Sequence, residues 1–228
     1  MPDADRIQVA PERLERWLAG FARNHPQPRV AVTDHVVELA SPDGARAWIE
    51  APWGTPDGAD PLAGLVAQVT RPRRLGALLV RRNAHAVGVF QGTDLIGHRL
   101  GRHYVQGRTK AGGWSQQRYA RRRENQAGRA FARATSDAVD LLLPEASGLE
   151  AIILGGDAQA VRSVLADPAL AALGSVLERH RRPVLSVADP NLRVLRDALP
   201  RFLAVPIRLN AQARRLSLAQ GDDETRGH

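Results

Sequence analysis

The chain predicts an α/β fold built on a mixed sheet, preceded by a small α+β appendage. Three observations lead there. Residues 75–105 hold three apolar runs separated by short turns, the pattern of a β-meander. From Ser115 to Leu143 there is no proline and only one glycine, Gly128, so a long helix is expected. After it, short apolar runs alternate with helical patterns, which is how strand-helix-strand units with parallel pairing read.

Taken in order, PERLERWLAGFAR (11–23) predicts a helix. Pro11 suits a first helical position, and Leu14, Trp17, Leu18 and Phe21 form an apolar stripe at three- and four-residue spacing. Trp17 and Phe21 are read as core. HPQP (25–28) breaks the chain, RVAVTDHVVEL (29–39) reads as one strand, SPDG (41–44) as a turn and ARAWIEA (45–51) as a returning strand. The loop PWGTPDGADP (52–61) joins the appendage to the main domain, and LAGLVAQV (62–69) is a short helix at that joint. The domains are therefore expected at 1–70, an N-terminal helix and hairpin appendage, and at 71–210, with 211–228 as a flexible C-terminal tail.

In the main domain the meander consists of LGALLVRR (75–82), AVGVFQG (86–92) and DLIGHRLGRHYV (94–105), the last with a glycine irregularity. Beyond the long helix, LEAIILGG (149–156) is a strand, DAQAVRSVLAD (157–167) a helix capped by Asp157, and PALAALGSVLERH (168–180) a second helix. PVLSVAD (183–189) reads as a strand, PNLRVLRDAL (190–199) as a helix and RFLAVPIRL (201–209) as a last strand. Three meandering strands, a long helix, then strand-helix-strand is the order of an RNase H-like α/β domain.

Composition narrows the function. The 228 residues are 43% hydrophobic and 25% charged, an ordinary globular balance. The formal net charge is +8 and the sequence pI about 11.2, which points to an anionic partner. From Arg99 to Arg133 there are ten Lys/Arg and one acid, Glu124, a net of +9, so the rest of the chain nets −1. The basic character belongs to one segment, without the interleaved acids of a solvated helix face. No cysteine is present, which excludes disulfides and thiolate zinc sites. The first residues lack the apolar core of a signal peptide, and no window approaches the roughly 18 apolar residues of a membrane span. A cytoplasmic protein, without membrane contact and monomeric when free, is expected.

The basic segment reads RTKAGGWSQQRYARRR (108–123). A metal nuclease on this fold would need converging carboxylates, yet the first strand ends in Arg81-Arg82 and no acid occurs from Leu75 to Ala84. Gly113-Trp114-Ser115-Gln116-Gln117 approaches a nucleophile elbow, but Gln117 stands where the closing glycine belongs and a polar basic loop precedes the serine. Ser115 fits better as the cap of the long helix. Of the histidines only His98 and His103 lie close, five apart and on opposite faces of a strand, so neither metal nor cofactor is expected. Gly112 and Gly113 allow backbone to approach a crowded substrate. Gln116 offers a carbonyl acceptor, an amide donor and its backbone N–H, enough to hold a water in line with a carbonyl or to stabilise an oxyanion. Arg108, Lys110, Arg118, Arg121, Arg122 and Arg123 flank it and can grip phosphates. Such an amide matters where another macromolecule supplies the rest of the site, as for a peptide ester on transfer RNA held in the ribosome.

The stretch RTKAGGWSQQRYARRRENQAGRAFAR resembles the catalytic loop and helix of the Vms-like release factors, which are similar in turn to the Gly-Gly-Gln domain of the eukaryotic class I release factor. The compact actinobacterial branch, the VLRF proteins, is the best match. The resemblance implies an RNase H-like core without nuclease acids, and hydrolysis of peptidyl-tRNA on stalled large ribosomal subunits in ribosome-associated quality control. It carries over to Gly112, Gly113, Ser115 and Gln116, with Gln116 as the water-positioning residue. Trp114 interrupts the glycine run and Gln117 adjoins Gln116, so both amides stand as candidates. Two readings remain: a ribosome-dependent peptidyl-tRNA hydrolase, and a non-catalytic rRNA- or tRNA-binding module whose loop only grips RNA.

Overall fold

The computed structural model describes residues 5–102, 131–180 and 182–214. They fall into two compact units, Met1–Arg71 with Leu203–His228, and Pro72–Phe202. Strands and helices are numbered along the chain.

The first unit is an antiparallel five-stranded sheet in the order β1-β9-β4-β3-β2, made of Asp5–Val9 (β1), Arg29–Thr33 (β2), Val36–Ala40 (β3), Arg46–Glu50 (β4) and Val205–Leu209 (β9). Helices Pro11–Asn24 (α1) and Pro61–Thr70 (α2) belong to it. The stripe read from the sequence holds: Leu14, Leu18 and Phe21 are buried with Val37, Leu39, Ile49, Leu65 and Ile207, while Trp17 is only partly buried against that core. Asp60 caps α2, its carboxylate accepting from the N–H groups of Leu62 and Ala63, with Pro61 behind it.

Two expectations are corrected here. The run 29–39 is a hairpin, not one strand: Asp34 takes φ +53°, the left-handed region that a short polar residue tolerates, and Thr33 pairs with Val36. The last strand does not close the main domain's sheet. Val205, Ile207 and Leu209 alternate inward, and β9 inserts between β1 and β4. Pro206 lies opposite Gln8 of β1 and beyond the ladder with β4, which covers only Leu209 to Ile207. β1 itself was not foreseen. Of the expected tail, residues 211–214 form a helical turn in which Asn210 Oδ1 accepts from the N–H of Ala213 at 3.0 Å, and Ala213 is buried.

The second unit is a four-stranded sheet in the order β7-β6-β5-β8. Arg74–Arg81 (β5), Ala84–Gln91 (β6) and Asp94–Arg102 (β7) form the antiparallel meander, and Ala151–Gly156 (β8) runs parallel to β5. The expected irregularity is a bulge: Val89 pairs with Gly97 and Phe90 with Leu95, leaving Ile96 extra on β7. One face is covered by the helix 131–142 (α3), by Ala158–Leu165 (α4), by the 3-10 turn Pro168–Leu173 and by Gly174–Arg179 (α5). Leu192–Leu203 (α6) lies on the other, where Gly88 leaves room for Leu195. The fold is thus mixed α/β with two sheets.

Asp157 caps α4 as read, accepting from Gln159 N at 2.8 Å and Ala160 N at 3.1 Å; the Ala160 and Gln159 bonds hold its carboxyl below the usual carboxylate range. The helix expected over 168–180 is a 3-10 turn followed by α5. The strand expected over 183–189 is reduced to one parallel bridge, Leu185 to Gly155. The physical reason lies in its carbonyls: Ser186 O accepts from Arg201 Nη2 at 2.8 Å and Val187 O from Arg81 Nη1 at 3.0 Å, so side chains take the place of a ladder.

Candidate functional site

The residues singled out for chemistry, Gly112, Gly113, Ser115 and Gln116, and the phosphate-gripping set Arg108, Lys110, Arg118, Arg121, Arg122 and Arg123, lie in 103–130, outside the described residues. So do Gln117 and the first part of the long helix. What is described is the frame that carries this segment. The chain leaves β7 at Arg102 and returns on α3, whose buried Ala134, Ala138 and Leu142 pack against Leu78, Val80, Val87 and Val89 of the sheet. Arg99 and Arg102 before the segment and Arg133 after it are exposed, so the positive charge extends onto both flanks.

One fully buried polar side chain ties the two flanks together. His85 stands on β6 facing the same way as Val87 and Val89, and its backbone partner on β7 is Gly101. Its Nε2 lies 2.6 Å from Oδ2 of Asp137 on α3. The imidazole occupies the space a side chain at residue 101 would need: a β-carbon on Gly101 would stand 2.0 Å from Cε1 of His85. Gly101 precedes the segment 103–130 by two residues and Asp137 follows it by seven. One imidazole therefore pins the strand that enters the segment to the helix that leaves it. In the sequence, 83–85 read as lying between the first two strands of the meander, whereas Ala84 and His85 open β6. The signal that was present is the alternation of His85, Val87 and Val89, which puts the histidine on the buried face of a strand.

A second set of polar groups braces the opposite end of β5. Arg73 is buried and its Nη1 lies 2.5 Å from Oε2 of Glu150, while Arg74 pairs with Glu145. Burial, with Arg182 and then Arg73 nearby, pushes His180 down to about 4, so its imidazole is neutral near pH 7. Among the described residues, no group of three or more His, Cys, Asp or Glu could hold a metal ion, and no single helix is long and apolar enough to cross a membrane.

A family model described as the Actinobacteria/chloroflexi VLRF1 release factor matches residues 73–208, more than half of the chain. The chain belongs to this release-factor family. The match takes in the whole second unit from Arg73, the basic segment and β9. It leaves out β1 to β4, α1 and α2. Membership in the VLRF1 family carries a release-factor role at the ribosome. Solved structures similar to this chain include the crystal structure of the archaeal translation termination factor aRF1, at 16% identity and a TM-score of 0.44, covering 98% of this chain and 70% of that one. Another is an archaeal protein at 15% identity and a TM-score of 0.39, covering 85% of this chain and 63% of that one. No curated protein matches the sequence.

Proposed function

We propose that the protein is a ribosome-dependent peptidyl-tRNA hydrolase that releases nascent chains from stalled large ribosomal subunits in the cytoplasm. The observation that carries this reading is the family match, because residues 73–208 contain the stretch Ala111-Gly112-Gly113-Trp114-Ser115-Gln116-Gln117 between arginines. Gln116 holds a water molecule against the ester that joins peptide to transfer RNA. The water oxygen forms a bond to the carbonyl carbon, the bond from that carbon to the ribose oxygen breaks, the ribose leaves as a hydroxyl and the peptide as a carboxylate with release of a proton. The amide need not exchange that proton: its work is orientation and stabilisation of the charge that develops on the carbonyl oxygen. Gly112 and Gly113 let the backbone approach, Ser115 begins the helix, and Arg108, Lys110, Arg118, Arg121, Arg122 and Arg123 hold RNA phosphates. The sheet order β7-β6-β5-β8, with β8 parallel to β5, supports an RNase H-like core as the platform.

The test is multiple-turnover release of a labelled peptide from purified peptidyl-tRNA–large-subunit complexes. A hydrolase liberates more peptide than the protein added. Binding without any release would assign the protein instead to the non-catalytic RNA-gripping class.

A further inference from the structure

The first unit carries a cleft that the family match does not reach. It has a volume of about 480 Å³ and opens between α1 and the β1-β9 edge of the sheet, with Val9, Phe21 and Leu209 among its lining. That volume is in the range of small-molecule and cofactor sites. Arg13, Arg16 and Arg23 line it, together with Trp17 and Gly20, and among the described residues no carboxylate does. The charges are placed by helical spacing: positions 13, 16, 20 and 23 recur at three- and four-residue steps and share one face, whereas Glu15 falls about 120° round the helix from the middle of that face and Glu12, four residues before Arg16, sits about 60° from it at the margin. Arg13 and Arg23 are separated by about 15 Å along the axis, enough to meet more than one phosphate of a strand. Aromatic rings back the cleft in series. Trp17 and Phe21 have centroids 5.7 Å apart, and Phe21 and His25 4.8 Å apart. His25 is itself fixed, its Nδ1 2.7 Å from Asp43 Oδ2 and its carbonyl accepting from Ser41 Oγ.

We propose that this cleft is a second RNA site, which holds an unstacked nucleotide of single-stranded RNA with its base against Trp17 and the adjoining phosphates on Arg13, Arg16 and Arg23. An aromatic platform beside a cationic groove is the combination that single strands require. The ring supplies stacking that any base satisfies, and guanidinium forks match phosphate oxygens. The site gives the first unit a role distinct from the basic segment: it anchors the factor on exposed RNA without taking part in ester hydrolysis.

Gly20 provides the test, because the nearest side chain a β-carbon there would meet is that of Arg23 on the same helix, Nη2 at 3.9 Å. Gly20→Glu places a carboxylate among the three arginines and removes a helix-weakening glycine, so the fold is kept. The full chain carrying Arg121→Glu and Arg122→Glu serves as parent, to lower binding by the basic segment. The probe is a fluorescein-labelled single-stranded RNA of about ten nucleotides containing 4-thiouridine. Gly20→Glu should weaken binding by about tenfold or more, Arg13→Ala with Arg23→Ala should flatten the salt dependence by about 1.4 log units per log unit of salt, and photocrosslinks should map to the α1 peptide containing Trp17. Unchanged affinity in both variants, with crosslinks confined to other peptides, overturns the proposal. So does equal affinity for AMP and the oligonucleotide, which assigns the cleft to a free nucleotide, or displacement of the RNA crosslink by a polyglutamate peptide, which assigns it to an acidic protein partner. In the otherwise wild-type chain, peptide release by Gly20→Glu at saturating ribosomal complex should match the wild type; its collapse would place the cleft in the catalytic step and equally overturn a separate site. Crosslinking at α1 with no release by the wild type would sink the hydrolase reading alone.

Discussion

Gly101→Ala is expected to be among the most damaging single-methyl changes in the protein, and only because His85 is where it is. The added carbon would stand 2.0 Å from Cε1, 2.6 Å from Nδ1 and 2.7 Å from Nε2 of a ring with no exposed surface. The ring cannot turn aside without leaving Asp137, 2.6 Å away. Overpacking a filled core costs about 1–3 kcal/mol, and losing the partner of a buried polar group about 1–3 kcal/mol. The two are not independent, so about 2–4 kcal/mol is the expected total. The assay is a double-mutant cycle in urea, followed by circular dichroism, with Gly101→Ala, His85→Ala and both together. Without the imidazole the methyl has room, so Gly101→Ala in the His85→Ala background should cost less than about 1 kcal/mol, a coupling of at least about 1 kcal/mol. Equal costs in the two backgrounds would refute the claim that one histidine locks β7 to α3.

Binding to ribosomal particles should weaken with salt with a log–log slope of about −3.5 to −4.5 if Arg108, Lys110, Arg118, Arg121 and Arg122 each meet a phosphate, and reversing two of these charges should flatten it by about one to two units. His180 sets a pH dependence of stability: its folded value of about 4 lies below the ordinary value of 6.5, so the unfolded chain takes up the proton first and stability falls as pH drops from about 6.5 towards 4. His180→Leu should flatten that window in unfolding curves measured at successive pH values. Asp157→Ala removes the two capping bonds of α4 and should cost about 1 kcal/mol in chemical denaturation, with Asp157→Asn largely neutral by comparison.

The elements legible in the sequence were those whose signal is local. The meander of β5, β6 and β7, the cap Asp157 and the apolar stripe of α1 are each written within a dozen residues or so. β9 was read as a strand but assigned to the wrong sheet, because its partners Ile7 and Ile49 lie more than 150 residues away and nothing in VPIRL names them. β1, DRIQV, is short, opens on the charged pair Asp5-Arg6, and among the described residues is paired only with β9. For the site the division is different. Residue types and charge single out the amide, the glycines and the arginines of 108–123 as candidates, because chemistry is carried by composition at close spacing, and these residues lie outside the described ones. The anchor His85-Gly101-Asp137 joins three segments and needed the register of β6 and β7 before it could be seen.

The central claim is that Gln116 positions water for attack on the peptidyl ester, and single-turnover peptide release from peptidyl-tRNA–large-subunit complexes tests it most directly. Gln116→Ala should slow release by about 10²-fold or more, about 2.7 kcal/mol in the barrier, while affinity for the complex hardly changes because the arginines supply it. Gln117→Ala should cost much less, and Ser115→Ala no more than a helix cap, with turnover largely kept. Release at the wild-type rate by both glutamine variants would contradict the account, and an inactive Ser115→Ala beside an active Gln116→Ala would replace the positioned water with a serine nucleophile.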